Sequence, residues 1–165
     1  MIVGENREEL GALVCPAEGV GEAEIDDVGG IIELLAPLEN EGVLVRRSRE
    51  RLETEIDHFT VVERDGMIIA CAALYPTEKP DFGELACLAV HPAYRDAGRG
   101  DKLLNYIEQE ALNLGIRQIF VLTTRTAHWF RERGFRNADL DDLPVKRRGL
   151  YNYQRNSKIF IKSLA

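Results

Sequence analysis

Apolar side chains recur at helical spacing near the start of the ordered pattern, between residues 28 and 38. The acidic pair Asp26 and Asp27 precedes this stretch, where a helix N-cap is expected. A second helix is predicted to begin after Ser48, whose hydroxyl is suited to an N-cap. The pattern therefore predicts two consecutive helices before the first strand of the main sheet.

Two apolar runs then flank a turn signal. Residues 59–64 and 67–75 are rich in β-branched and other apolar side chains, and Asp65 and Gly66 separate them. An Asp-Gly pair readily adopts the positive φ angles that a two-residue hairpin turn requires. We expect these runs to form a β-hairpin.

The rest of the chain alternates between strand-like and helix-like patterns. A strand is predicted over residues 84–90, a long amphipathic helix over 98–114, and a buried strand over 118–123. A short helix over 127–133 and a closing strand over 151–161 complete the order α-α-β-β-β-α-β-α-β. A hairpin followed by a strand-helix-strand unit indicates a mixed α/β (α+β) fold, whose central sheet is partly parallel, partly antiparallel and flanked by helices.

The length of 165 residues suits one compact domain. Residues 1–23 are rich in Glu and Gly and show no sustained period, so they are interpreted as a tail or linker, or as the remnant of a missing N-terminal domain. Residues 24–165 are interpreted as the folded domain.

Charge and cysteine usage narrow the class of protein. The formal net charge is −7, which argues against nucleic acid or an anionic membrane as the main partner. No signal-peptide pattern is present at the N-terminus, and Cys15, Cys71 and Cys87 form no C-x-x-C pair. The three histidines are scattered without metal-ligand spacing. We therefore expect a reduced, cytoplasmic protein without disulfides or a metal.

The segment between the predicted strand at 84–90 and the long helix carries the clearest chemistry. Its turn reads Arg95-Asp-Ala-Gly98-Arg-Gly100, and the first free N–H groups of the helix face this turn. These donors, the helix dipole and the two arginines suit a pyrophosphate. An R-x-x-G-x-G sequence alone is also compatible with a simple tight turn.

The order of elements around this turn resembles the GNAT superfamily of acetyl-CoA-dependent N-acetyltransferases, over roughly residues 24–165. The resemblance implies the GNAT fold and acetyl-CoA as co-substrate. It also implies that the backbone of the strand end faces the thioester and that the turn binds the pyrophosphate. The implied CoA-binding residues are Leu88, Ala89, Val90, Arg95, Asp96, Ala97, Gly98, Arg99 and Gly100.

Within this superfamily, residues 42–50, 70–76, 121–125, 128–135 and 150–158 look like the acetyltransferase domain of bacterial N-acetylglutamate synthases. The resemblance implies acetyl transfer to the α-amine of L-glutamate, the first step of arginine biosynthesis, without a metal. Typical members also carry an amino-acid-kinase-like domain that binds arginine and assembles an oligomer. This chain has no room for that domain, so arginine regulation is not implied for it, and its oligomeric state stays open.

Two residues are candidates for proton transfer. Glu84 occupies the strand position where many GNAT enzymes hold a general base; the alternative is an exposed glutamate capping the preceding loop. Many relatives have a tyrosine as general acid where this chain has Phe130. Thr123 is the substitute candidate, against a purely structural hydroxyl, and Tyr151 and Tyr153 are weaker candidates.

The glutamate carboxylates call for cationic side chains, since an arginine fork meets a carboxylate in two parallel bonds. The resemblance points to Arg46, Arg155 and Ser157, with the Cys87 backbone nearby, and Arg47 is a further candidate. The alternative is a solvated basic turn and an exposed closing strand.

Two rival functions remain open. One is a GNAT enzyme that acetylates another amino acid or a peptide amine; the other is a silent acyl-CoA-binding module with a regulatory role. Cys87 has no histidine partner or basic setting evident in the sequence, so direct transfer in a ternary complex is expected rather than an acyl-enzyme.

Overall fold

The computed structural model describes residues 17–151 and 155–164. Within them the strands form a single sheet. The strands are β1 (Glu18–Glu22), β2 (Phe59–Arg64), β3 (Met67–Pro76), β4 (Phe82–Val90), β5 (Gln118–Thr123), β6 (Arg136–Ala138) and β7 (Lys158–Ser163). The α-helices are α1 (Val28–Asn40), α2 (Arg49–Thr54), α3 (Arg99–Asn113), α4 (Ala127–Glu132) and α5 (Val145–Arg148). In this described part of the chain, no helix is both long and apolar enough to cross a membrane.

The sheet has the order β1-β2-β3-β4-β5-β7-β6. All neighbouring strands are antiparallel except β4 and β5, which are parallel. Helix α3 makes the crossover between these two parallel strands, as such a connection requires. The mixed sheet predicted from the sequence is confirmed.

Helices cover both faces of the sheet, so the central strands are buried on two sides. In β3, Cys71 and Ala73 belong to the core beneath α1 and α2, whereas Ala70 and Ala72 belong to the core beneath α3 and α4. This alternation explains why the strand reads as a continuous apolar run rather than as apolar and polar residues in turn.

The hairpin turn and the cap of α2 are confirmed, whereas the predicted Asp26–Asp27 cap of α1 is not: the Asp27 side chain makes no capping hydrogen bond to α1 and accepts from the Glu24 N–H at 2.8 Å. The hairpin turn has φ angles of 50° at Asp65 and 83° at Gly66. The Ser48 hydroxyl accepts a hydrogen bond from the Arg51 N–H at 3.1 Å and caps α2. Both features depend on residues adjacent in sequence, which is why pattern reasoning finds them.

Four elements differ from the sequence-based expectation. Strand β1 lies inside residues 1–23, so the sheet begins before the predicted domain start; residues 1–16 are outside the described part. Neither β6 nor α5 was predicted, and the closing strand begins at Lys158 rather than at Tyr151. These short elements gain their stability from pairing and packing against neighbours, and β1 pairs along its whole length with β2.

Candidate active site

A cleft opens where β4 and β5 stop pairing. The last paired residues are Glu84 and Phe120, while β4 continues to Val90 and β5 to Thr123. The cleft has a volume of about 850 Å³ and is lined by the ends of both strands, including residues 88–90. Backbone groups on the free edge of β4 are thus available to a bound molecule.

A β-bulge re-aims the end of β4. Cys71 lies opposite Ala89 but Ala73 lies opposite Ala86, and Cys87 adopts a φ angle of 57° within the intervening shift. A bulge bends its strand and often lies beside a functional site. Burial raises the pKa of the Cys87 thiol to about 11, so the thiol is protonated at neutral pH and is a poor nucleophile.

The turn between β4 and α3 has the geometry of an anion site. Asp96 and Gly98 have φ angles of 65° and 79°, and α3 begins directly after them at Arg99. The first N–H groups of this 15-residue helix therefore face the cleft, where residues 95, 96 and 98–101 are part of the lining.

Gly100 has a steric reason to be glycine. A Cβ atom added to Gly100 would lie 2.9 Å from the ring of Trp129, closer than side-chain atoms normally approach. The guanidinium carbon of Arg133 lies 3.9 Å from the Trp129 ring centroid, and Arg133 forms an ion pair with Asp101. Helix α4 is thereby fixed against the first turn of α3.

The two arginines of the turn have different roles. Arg95 is exposed, and its Nε donates to the Val90 carbonyl at 3.2 Å. The Arg99 guanidinium instead points to Glu18 of β1, at 2.8 Å, and its side chain is only 11% exposed. The Arg99 side chain therefore points to Glu18 and not towards a pyrophosphate at the turn, as the sequence had led us to expect. The Arg99 backbone N–H, at the start of α3, remains available to such a ligand.

The opposite end of the cleft is basic. Arg47, Arg147 and Arg155 line it, although they come from three separate parts of the chain. Arg155 donates to the Ser157 hydroxyl at 3.1 Å and to the Val43 carbonyl. Burial, together with the positive charges of Arg47 and Arg147, lowers the pKa of the Arg155 guanidinium. An anionic ligand would relieve this repulsion.

Arg46 and Arg47 point to different environments. The Arg46 side chain is 71% exposed and donates to Asn40, and Arg46 is not among the residues that line the cleft. Arg47 donates to the Val45 carbonyl at 3.1 Å, and its buried Nε has no hydrogen-bond partner within residues 17–151 and 155–164. Successive residues of an extended segment face opposite sides, so one arginine enters the cleft and the other does not.

Glu84 is held by a residue that sequence reasoning missed. Arg147 of α5 donates to both carboxylate oxygens of Glu84, at 2.9 and 3.3 Å. The Glu84 side chain is 15% exposed and lies within β4, so it does not cap the preceding loop at the surface. The basic run from Lys146 to Arg148 was the only local signal for Arg147, and such runs are usually solvated.

Thr123 lies at the end of β5 and lines the cleft. Its Oγ1 accepts from the backbone N–H groups of Thr126 and Arg125, at 3.1 and 3.3 Å. It also lies 2.7 Å from the Thr126 hydroxyl oxygen. Since two backbone N–H groups already donate to the Thr123 oxygen, its own hydrogen is directed to the Thr126 oxygen in this arrangement.

Tyr151, a weaker candidate for the general acid, is placed less well than Thr123 for proton transfer in the cleft. The Tyr151 hydroxyl donates to the Ser157 carbonyl at 2.6 Å, and Tyr151 is not a lining residue. Phe130 lines the cleft and is 2% exposed. Tyr153 lies outside the described residues.

The parallel pair that separates, the bulged strand and the N-terminus of α3 together form one cleft with an anion-binding turn at its edge. The Acetyltransferase (GNAT) family model matches residues 30–135 of this chain. The chain belongs to the GNAT acetyltransferase family.

Relatives within this family are similar to most of the chain. An amino-acid acetyltransferase of Pseudomonas putida (strain GB-1) is 65% identical over 147 residues, which cover 89% of this chain and 34% of the relative. The chain thus matches only about a third of that protein's length.

Similar solved structures also cover most of this chain. N-acetylglutamate synthase from Neisseria gonorrhoeae, complexed with coenzyme A and N-acetyl-glutamate, is 40% identical with a TM-score of 0.87, covering 97% of this chain and 38% of that one. Rv2747 from Mycobacterium tuberculosis, in complex with CoA, has a TM-score of 0.76 at 23% identity, over 89% of this chain and 99% of that one. The second likeness concerns the fold alone.

Proposed function

We propose that this chain transfers the acetyl group of acetyl-CoA to the α-amine of L-glutamate, giving N-acetyl-L-glutamate and CoA. The observation that carries the proposal is one cleft with an anion-binding turn at one end and three arginines with a carboxylate at the other. The N-acetylglutamate synthase to which the chain is 40% identical was solved with coenzyme A and N-acetyl-glutamate, which supports both substrates.

Acetyl-CoA is held mainly by backbone in this proposal. Its pyrophosphate accepts hydrogen bonds from the first N–H groups of α3, with Arg95 adding positive charge at the exposed side. The pantetheine arm extends along the free edge of β4, residues 88–90. A backbone N–H there stabilises the oxyanion that forms when the thioester carbonyl is attacked.

Glutamate is held by side chains. Arg47 and Arg155 bind its two carboxylates, Ser157 orients Arg155, and the Cys87 backbone lies beside them. Arg147 joins this set, because it lines the same end of the cleft. Arg46, exposed and directed to Asn40, is left out of the proposed site.

Glu84 acts as general base. The α-amine of glutamate is mostly protonated at neutral pH, and only the free amine attacks a thioester. Both Glu84 oxygens accept from Arg147, so Glu84 becomes free to receive a proton when a substrate carboxylate shares or takes over that arginine. Base and substrate recognition are coupled through Arg147 in this way.

The reaction proceeds by direct attack. The amine nitrogen forms a bond to the acetyl carbonyl carbon, its surplus proton passes to Glu84, and the carbon–sulfur bond breaks. Thr123 turns its hydroxyl hydrogen from Thr126 to donate a hydrogen bond to the departing thiolate, while two backbone N–H groups hold its oxygen in place. The thiolate then takes a proton from solvent, Glu84 returns its own to solvent, and CoA leaves as the thiol. The raised pKa of Cys87 supports direct transfer over an acyl-enzyme.

A thiol-release assay tests the proposal. It compares L-glutamate with L-aspartate, L-glutamine and a short peptide as acceptors of the acetyl group, in the wild-type chain and in Arg155→Ala. We expect turnover with glutamate, lost in the variant. Turnover with another amine only would contradict the substrate assignment. CoA binding without any turnover would favour a binding module that depends on a further domain.

A further inference from the structure

Glu18, in a segment that reads as a linker, lies at the centre of a group of three cations. Its carboxylate forms ion pairs with Arg99 at 2.8 Å, Lys102 at 3.3 Å and Arg64 at 3.4 Å. Its own side chain is 17% exposed. Hydrogen bonds from Arg99 and Lys102 lower the pKa of Glu18 to about 2, so it is ionised at every pH at which the protein would work.

The Arg99 side chain makes three contacts in this arrangement. It stacks over the Tyr94 ring at 5.1 Å, donates to the Tyr94 carbonyl at 3.3 Å, and donates to Glu18. Its Nε is buried and has no hydrogen-bond partner in the described ranges of the chain. Among the described residues, Glu18 therefore supplies the one carboxylate within ion-pair distance of the Arg99 guanidinium.

Arg99 is also the first residue of α3, so its backbone N–H belongs to the turn proposed to receive pyrophosphate. A side chain fixed to β1 limits how far that backbone can move. Lys102, three residues further along α3, forms an ion pair with the same carboxylate. Two points on the first turn of α3 are thus tied to one residue of β1.

We propose that Glu18 is a positioning residue for the pyrophosphate turn: it acts through Arg99 to keep the first N–H groups of α3 aimed at the cleft. This inference rests on the proposed acyl-CoA binding of the same cleft, but not on glutamate being the acceptor. It gives β1 a part in ligand binding although β1 does not line the cleft.

Calorimetric titration with CoA tests the inference in the whole 165-residue chain. We expect Glu18→Gln to raise the Kd for CoA about three- to tenfold, the worth of one hydrogen bond within the protein. The matched control is Glu22→Gln, which makes the same charge change on the same strand and should leave the Kd within about twofold. Measurement at 0.15 M salt suppresses long-range charge effects.

Two further readouts separate positioning from a general loss of structure. In an Arg99→Met background, Glu18→Gln should have a clearly smaller effect on the Kd than in the wild-type chain, because only the contact with Lys102 remains. In the acetyl-transfer assay, KM for acetyl-CoA should rise while kcat and KM for the amine stay unchanged.

An unchanged Kd in Glu18→Gln would overturn the inference alone. So would an equal rise in Glu22→Gln, or additive effects of the two changes at Glu18 and Arg99. Failure of the wild-type chain to bind CoA would instead overturn the proposed function, and the inference with it.

Discussion

The two ends of the cleft are built in different ways. The end proposed to bind acyl-CoA consists of backbone from two adjacent segments, residues 88–90 and residues 95, 96 and 98–100, joined by a single short connection. The acceptor end consists of side chains: Arg47 follows α1, Glu84 lies in β4, Arg147 in α5 and Arg155 before β7. On the proposed function, the cofactor is held by local backbone geometry, whereas the acceptor is chosen by side chains that come from four separate parts of the chain.

The largest expected effect is at the acceptor end. Glu84→Gln keeps the size of the side chain but removes the base, so kcat should fall by about 10²–10⁴-fold while KM for acetyl-CoA stays unchanged. Steady-state kinetics with L-glutamate measures both. Glu63→Gln on the exposed side of β2 is the control. An equal loss in that control, or full activity in Glu84→Gln, would contradict the base assignment.

Neighbouring arginines sharpen the assignment of the carboxylate-binding side chains. Arg47→Ala should lower kcat/KM for glutamate about ten- to a hundredfold, because a charge-assisted hydrogen bond is lost. Arg46→Ala should change it by less than about twofold, since that side chain is exposed outside the cleft. A larger effect of Arg46→Ala than of Arg47→Ala would indicate that Arg46 binds the substrate carboxylate and would contradict the assignment of Arg47.

A steric change should weaken only the acyl-CoA end. Gly100→Ala places a Cβ atom 2.9 Å from the Trp129 ring, so α3 and α4 must separate near the turn. We expect KM for acetyl-CoA to rise about tenfold with KM for glutamate unchanged, since one charge-assisted contact is disturbed. Gly19→Ala, where an added Cβ meets nothing within 4 Å, is the control. If both KM values rose together, the two ends would not be independent.

The smallest effect concerns stability and pH. The pKa of Glu18 is about 2 in the folded protein and near 4.5 ordinarily, so its ionised form stabilises the fold above pH 4.5. We expect Glu18→Gln to lower the free energy of unfolding by about 1 kcal/mol at pH 7. That difference should shrink as pH falls from 4.5 towards 2, in urea unfolding followed by circular dichroism. A difference that is constant with pH would show that the ion pairs contribute nothing.

Predictions from the sequence succeeded where the signal was local. The hairpin turn at Asp65 and Gly66, the cap at Ser48 and the glycine turn before α3 each depend on a few consecutive residues. The same kind of signal was lacking for β1 and β6, which are short strands that exist because a neighbour pairs with them.

The candidate site shows the same division. Cys87 lies at a bulge, but no typical turn residue in the neighbouring sequence predicts one. Its positive φ angle follows from the register between β3 and β4. Arg147 lies in a basic run that looks like solvated surface, yet it meets Glu84 across 63 positions of sequence. Its role as a partner of the candidate base could not be inferred without the fold.

The sequence by itself determined the mixed fold, the glycine turn that is proposed to bind pyrophosphate, and the family resemblance, because these depend on hydrophobic periodicity and on contiguous motifs. It also listed Arg155, Glu84 and Thr123 as candidates, whose roles remain proposals. Only the tertiary structure decided which of two adjacent arginines enters the cleft, that Arg99 turns to Glu18, and that Arg147 holds Glu84. These contacts depend on the direction of each side chain and on which residues, distant in sequence, lie beside it in the fold.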